Sequence, residues 1–172
     1  SIESALKVSK YVRIEQIKQI PFLEFFHTIP LLSYVRFAKW NEILSYEKPI
    51  DEFKFSLGIY HYARSIAFAS TGDIYRAIEE QEKILPLKDA SEIKVIIKAG
   101  QPSDKLLAIA NHLAMGQIEL ANMNIDDSIM HFKMAVEEQD ALPYREPEFW
   151  YYPTRQSLGH ALLLNKDFEE AV

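Results

Sequence analysis

The sequence contains no cysteine, so disulfides, thiolate zinc sites and cysteine nucleophiles are excluded together. Glycine is scarce: Gly58, Gly72, Gly100, Gly116 and Gly159 are the whole set, too scattered for a phosphate-cradling loop. No apolar run reaches the ~20 residues that a membrane-spanning helix needs, the longest being broken by Glu24, His27 or Lys98. Basic residues are outnumbered, 19 Lys and Arg against 25 Asp and Glu, for a net charge of −6. No basic stripe with interleaved aromatics offsets that balance, which argues against nucleic-acid binding. No alternating stretch of strand length, no H-E-x-x-H and no nucleophile elbow occur. The first residues, "SIESALKVSKYVRIEQ", have neither Met nor a signal-peptide core. They are expected to be cut from a longer chain, which leaves the compartment open between cytoplasm and a secreted or periplasmic location.

What is present is helical. The 172 residues are 48% hydrophobic and 26% charged, a composition that suits one folded domain over 1–172. Apolar residues recur at helical spacing and predict helices over 2–19, 30–38, 40–46, 52–71, 74–85, 91–98, 103–122, 125–139, 154–165 and from 168 to the end. All eight prolines fall at these boundaries, and Asp73, Ser103 and Thr154 are the expected N-caps. Connections this short predict an all-α chain of antiparallel helix hairpins.

The hairpins repeat. "GDIYRAIEEQEKI" (Gly72 to Ile84), "MNIDDSIMHFKMAV" (Met123 to Val136), "KDFEEAV" (Lys166 to Val172) and the decayed "AKWNEIL" (Ala38 to Leu44) are versions of one phrase. An anchor twelve positions before the alanine-like site of each second helix gives Leu31, Ser65, Gly116 and Gly159, paired with Ile43, Ala77, Ser128 and Ala171. This spacing resembles the tetratricopeptide repeat, W-x2-L-G-x2-Y followed by A-x3-F and P over 34 residues. Anchor separations are 34, 51 and 43 residues, so two insertions are expected: one near Leu87 to Lys105, an extra helix or an extended second helix with its helical pattern over Ser91 to Gly100, and the linker before Thr154. The resemblance implies a right-handed superhelical array of about four hairpins, the last one truncated.

That linker opens "YREPEFWYYPTRQSLGHALLL", Tyr144 to Leu164. It is similar to a motif Y-x-E-P-x-x-W-x-x-P-x-R-x-x-L-G of bacterial tetratricopeptide proteins, matched here by Tyr144, Glu146, Pro147, Trp150, Pro153, Arg155, Leu158 and Gly159. "HYARSIAFASTG" and "VRFAKWNEIL" resemble other segments of the same group, so the likeness covers most of residues 21–172. Met123 and Lys166 stand where its turns usually have Gly. The group has no assigned reaction, so the resemblance implies a fold and a general role. Two readings of the linker stay open: its aromatics cap the preceding hairpin, or they form one wall of a ligand groove.

Four positions before each anchor stand His27, His61, His112 and Arg155. Equivalent positions stack along a solenoid, so the column has three readings: hydrogen bonds that tie repeats together, recognition of an acidic or C-terminal group with Arg155 as the fork, or a metal site. The carboxylates Glu79, Glu80, Glu82, Glu137, Glu138, Glu169 and Glu170 read as solvated second-helix faces. Met115, Met123, Met130 and Met134 read as core filling, with an adaptable surface as the alternative. Groove-facing positions are those three before the anchor (Tyr62, Leu113, Gln156) and one after it (Ile66, Gln117, His160), and they lack the basic clamp of chaperone-binding members of the family.

The expected function is a non-catalytic protein- or peptide-binding scaffold. Its expected partner-binding residues are His61, Tyr62, His112, Gln117, Tyr144, Glu146, Trp150, Arg155 and His160, with no cofactor. The alternative is a metal- or small-molecule-dependent enzyme built on His27, His61, His112 and Arg155. Because the last second helix stops at Val172, an exposed apolar face near Leu162 and Leu163, with self-association through it, is also expected.

Overall fold

Five tight turns end helices among the described residues; one, at Gly100, closes the helix over Ser91–Lys98, and the other four share one register. Ala38, Gly72, Met123 and Lys166 each hold a left-handed backbone, with φ of 51°, 85°, 65° and 66°, and each stands seven residues after a proposed anchor. The residue that follows donates its N–H five positions back in every case: Lys39 to Tyr34, Asp73 to Phe68, Asn124 to Glu119 and Asp167 to Leu162. With the bonds Ala38 to Val35, Gly72 to Ala69, Met123 to Leu120 and Lys166 to Leu163, these are Schellman ends, which satisfy the last carbonyls of a helix and reverse the chain.

This computed structural model describes residues 1–171. Among them are ten α-helices and no strand. They are α1 (Ile2–Tyr11), α2 (Ile14–Gln19), α3 (Glu24–Arg36), α4 (Trp40–Leu44), α5 (Lys54–Ser70), α6 (Ile74–Gln81), α7 (Ser91–Lys98), α8 (Ser103–Ala121), α9 (Ile125–Asp140) and α10 (Arg155–Asn165). Short 3-10 turns at Pro21–Leu23 and Leu85–Asp89 fill two of the connections. Helix α3 packs on α4 and α5, α5 on α6 and α8, and α8 on α9, while α10 leans chiefly on α9. The insertion expected near Ser91 is α7, which packs against α8.

Anchors and their partners meet where the spacing placed them. The Ser65 hydroxyl donates to the Ala77 carbonyl at 2.9 Å, and Ser128 donates to the Gly116 carbonyl at 2.8 Å. Both bonds are buried and both link residues twelve apart. Leu31 and Ile43 lie in one buried cluster, and a Cβ at Gly159 would stand 3.8 Å from the Ala171 carbonyl. At Gly116 a Cβ would fall 2.4 Å from the Phe132 ring, so only glycine lets α9 approach this closely. The cluster that begins at Leu31 continues through Ile59, Leu107 and Phe132 to Leu162.

Several boundaries differ from expectation. The first helix breaks at Val12, whose extended backbone separates α1 from α2. Helix α3 starts at Glu24 and carries Pro30 inside it; Pro21 starts the 3-10 turn that nucleates it, so Pro30 costs one hydrogen bond without ending the helix. Asp73 caps α6 by accepting from the Arg76 N–H. Ser103 does not cap α8: Pro102 holds that position, and the Ser103 hydroxyl is buried without a partner. Thr154 stands at the cap position of α10 in a helical conformation, so its hydroxyl makes no cap bond. Phe168–Glu170 is a turn where a helix was expected, and Val172 lies outside the described residues. Leu162 is buried, whereas Leu163, Leu164 and Phe168 are 54%, 49% and 60% exposed.

Candidate functional site: a groove between the first helices

The anchor-relative positions decide what each first helix presents. On α5, Tyr62 and Ile66 are one turn apart on a single face, as are Leu113 and Gln117 on α8 and Gln156 and His160 on α10. All six line one groove of about 360 Å³. Val35 and Arg36, from the last turn of α3, line its far side, and Phe132 reaches it from α9. Tyr151 and Tyr152, from the linker, complete the wall.

The floor is a phenol cluster. Tyr62 is 1% exposed and shares a 2.9 Å hydrogen bond with the Tyr151 hydroxyl. Tyr152 shares another, also 2.9 Å, with the Ser157 hydroxyl. Burial pushes the Tyr62 and Tyr151 phenols well above the usual tyrosine range, so both are neutral donors and acceptors at physiological pH. At the rim, Arg36 donates to the Gln156 side-chain oxygen at 3.1 Å and stands 5.6 Å over the Tyr152 ring. Helices α3 and α10, far apart in sequence, thereby meet across the mouth.

The linker divides its aromatics between two roles. Phe149 and Trp150 join the buried cluster, with Trp150 edge-on to Tyr62 at 5.5 Å. Tyr151 and Tyr152 face the groove. Gln139, at the end of α9, holds the segment in place: its side-chain oxygen accepts from the Thr154 N–H at 2.7 Å, just where α10 begins. The Glu146–Pro147 peptide is cis. A second, smaller depression of about 250 Å³ is lined by Tyr144, Arg145, Glu148 and one side of Trp150 from the linker, with Asp140 and Arg155. Glu146 accepts from the Tyr144 hydroxyl.

The column of His27, His61, His112 and Arg155 does not converge. The His27 ring bonds the Val12 carbonyl at 2.7 Å. His61 bonds Glu80 on α6 at 2.6 Å, and Arg64 donates to the other oxygen of that carboxylate at 3.1 Å. Burial raises the Glu80 pKa, but these two partners outweigh it and hold the carboxyl below its usual range. Glu80 is thus a buried ion-pair member rather than part of a solvated face. His112 lies beside His131 of α9, ring centres 5.9 Å apart, and the Nδ1 atoms of both are buried without partners. Arg155 grips Asp140 through two bonds of 2.7 and 2.6 Å. Each member serves the contact between its own helix and a neighbour. Among the described residues no group of three His, Asp or Glu stands close enough to hold a metal ion.

Of the nine sequence-derived candidates, therefore, Tyr62, Gln117 and His160 share the groove, while Tyr144, Trp150 and Arg155 share the second depression. His61 and His112 are engaged by Glu80 and His131. Arg36, Tyr151 and Tyr152 were not singled out. The methionines did not fill the core as expected, since Met123, Met130 and Met134 are exposed. No helix among the described residues is long and apolar enough to cross a membrane. No family model matches the chain, and neither a curated protein nor a solved structure does.

Proposed function

We propose that this chain is a tetratricopeptide-like array of helix hairpins that binds an extended segment of a partner protein in the groove between its first helices, without catalysing a reaction. The four equivalent turns and the two buried hydroxyl bonds between anchor and partner support the repeat. In a right-handed superhelix of such hairpins, first helices form the concave wall.

The binding role rests on one observation: α3, α5, α8 and α10, with the linker, all contribute to a single groove with an aromatic floor and amide-bearing walls. Tyrosines supply large contact area at little entropic cost. Gln117 and Gln156 each offer a donor and an acceptor, which suits the unpaired backbone of an extended peptide.

The test is a nuclear magnetic resonance titration of the labelled protein with peptides selected on it from a random library. Shift changes are expected to concentrate at Tyr62, Gln117, Tyr151 and His160. Changes centred on His61, His112 or Tyr144 instead would remove the groove from the account.

A further inference from the structure

We infer that the bound segment carries an acidic side chain and that Arg36 is the residue that fixes it; the inference rests on the groove being the peptide site. The chain has 25 acidic residues, yet none of the residues lining the groove is Asp or Glu. Arg36 is the one Arg or Lys among them. A groove cleared of carboxylates in an acidic protein is complementary to negative charge.

Among the described residues, Arg36 is one of the arginines with no carboxylate partner; Arg145, which donates to Gln101 and stands 5.0 Å over the Phe149 ring, is another, but it does not line the groove. Arg64 is paired with Glu80, Arg76 with Asp73 and Arg155 with Asp140. The Arg36 guanidinium instead has a neutral amide, Gln156, and the face of the Tyr152 ring. It enters none of the ion pairs among the described residues. A guanidinium fork matches a carboxylate through two parallel bonds, and such bonds are about twice as strong as those to a neutral acceptor. An incoming Asp or Glu therefore displaces the Gln156 oxygen at a net gain, while Tyr152 keeps the fork in place from its other side. The freed Gln156 amide is left at the rim, beside His160 one turn on, to bond the peptide backbone. Arg155, the fork expected from sequence, is held by Asp140 and does not line the groove.

A displayed library of random dodecapeptides, selected on the full chain, provides the probe. Enriched peptides are expected to share an acidic position, and the affinity read by fluorescence anisotropy is expected to weaken about fivefold in Arg36→Gln, the scale of one exposed ion pair. Replacing the shared acid by its amide should weaken binding equally, with no further loss when both changes are combined. The affinity should also fall as salt rises. Peptides without a shared acid, or with unchanged affinity for Arg36→Gln, overturn the inference; the groove reading then stands only if Gln117→Glu and His160→Glu still abolish binding. Selected peptides indifferent to all three substitutions, or a library that yields no binder, overturn both.

Discussion

Met123 holds the same left-handed backbone as Gly72, at φ of 65° against 85°, and the residue after each donates to a carbonyl five positions back. A side chain in that conformation costs about 1–2 kcal/mol, which glycine avoids. Met123→Gly and Lys166→Gly are therefore each expected to raise unfolding free energy by about 1 kcal/mol, after the greater chain freedom of unfolded glycine is deducted. Gly72→Ala should lower it by a similar amount. Urea denaturation of the three variants checks this, and a loss of stability in both glycine variants would contradict the shared turn geometry.

Phe132 occupies the space a Cβ at Gly116 would need. Gly116→Ala is expected to cost about 1–3 kcal/mol through overpacking. Phe132→Leu shortens the obstructing ring, so the double variant should lose less than the sum of the two single changes. A double-mutant cycle measures that coupling, and simple additivity would mean that α9 moves away freely.

Burial pushes the Glu24 carboxyl up to about 7, against bonds from the Ser56 and Phe55 backbone that lower it, with the nearby Glu92 charge adding to the rise. The folded protein thus holds a proton there that the unfolded chain, at an ordinary value of 4.5, has released. This contribution is complete below about pH 4.5 and is lost as pH rises through about 7. Its size is at most about 3 kcal/mol. Glu24→Gln should flatten the stability profile between those limits; a variant with the same slope as the parent would assign the dependence to another group.

His112 moves the other way. Burial and the neighbouring His131 lower its pKa, partly offset by Glu138 and Glu137. Neutral His112 is favoured in the folded state, so its contribution to stability is present above the ordinary histidine value of 6.5 and is lost as pH falls from there through the lower folded value. In a proton-resonance titration His112 is expected to have its midpoint below that value, and to shift upward in His131→Phe. A midpoint at or above 6.5 in the parent would mean that the buried Nδ1 has found an acceptor.

Trp150 is 3% exposed and its indole N–H has no partner. Its worth is in packing against Tyr62, so Trp150→Ala is expected to cost about 3–5 kcal/mol. Trp150→Phe keeps an aromatic edge and leaves no polar group unpaired, and should cost less than half as much. Equal losses in thermal unfolding would point to a hydrogen bond through the indole nitrogen.

The twelve-residue pairing of anchors was legible because it is local: a helix, a tight turn and a second helix fix which residues meet. The extra helix α7 and the groove positions Tyr62, Leu113, Gln156, Ile66, Gln117 and His160 followed from the same register. Of the three readings of the histidine column, structural hydrogen bonding is the one that His27 and His61 fit, while convergence on one ligand fails because equal register puts residues in equivalent places without bringing them together. His61 and His112 instead face the second helices of their own pairs, where Glu80 and His131 wait. Arg36 could not be read at all. Its equivalents five positions after the other anchors are Ser70, Ala121 and Leu164, and it reaches the groove only because α3 and α10 meet across it. The linker escaped for a similar reason, since which of its aromatics turns inward depends on where Tyr62 leaves room.

Helix α10 rests chiefly on α9 and on a linker tethered by Gln139, rather than on the body of α5 and α8. The last helix can therefore detach at its aromatic seam while the older contacts further up the chain stay closed. Such a part is expected to act as a cooperative unit of its own, exchanging its amides before those of α5 and α8. The groove would then share that unit's rhythm, opening at one end like a hinged jaw rather than flexing along its whole length.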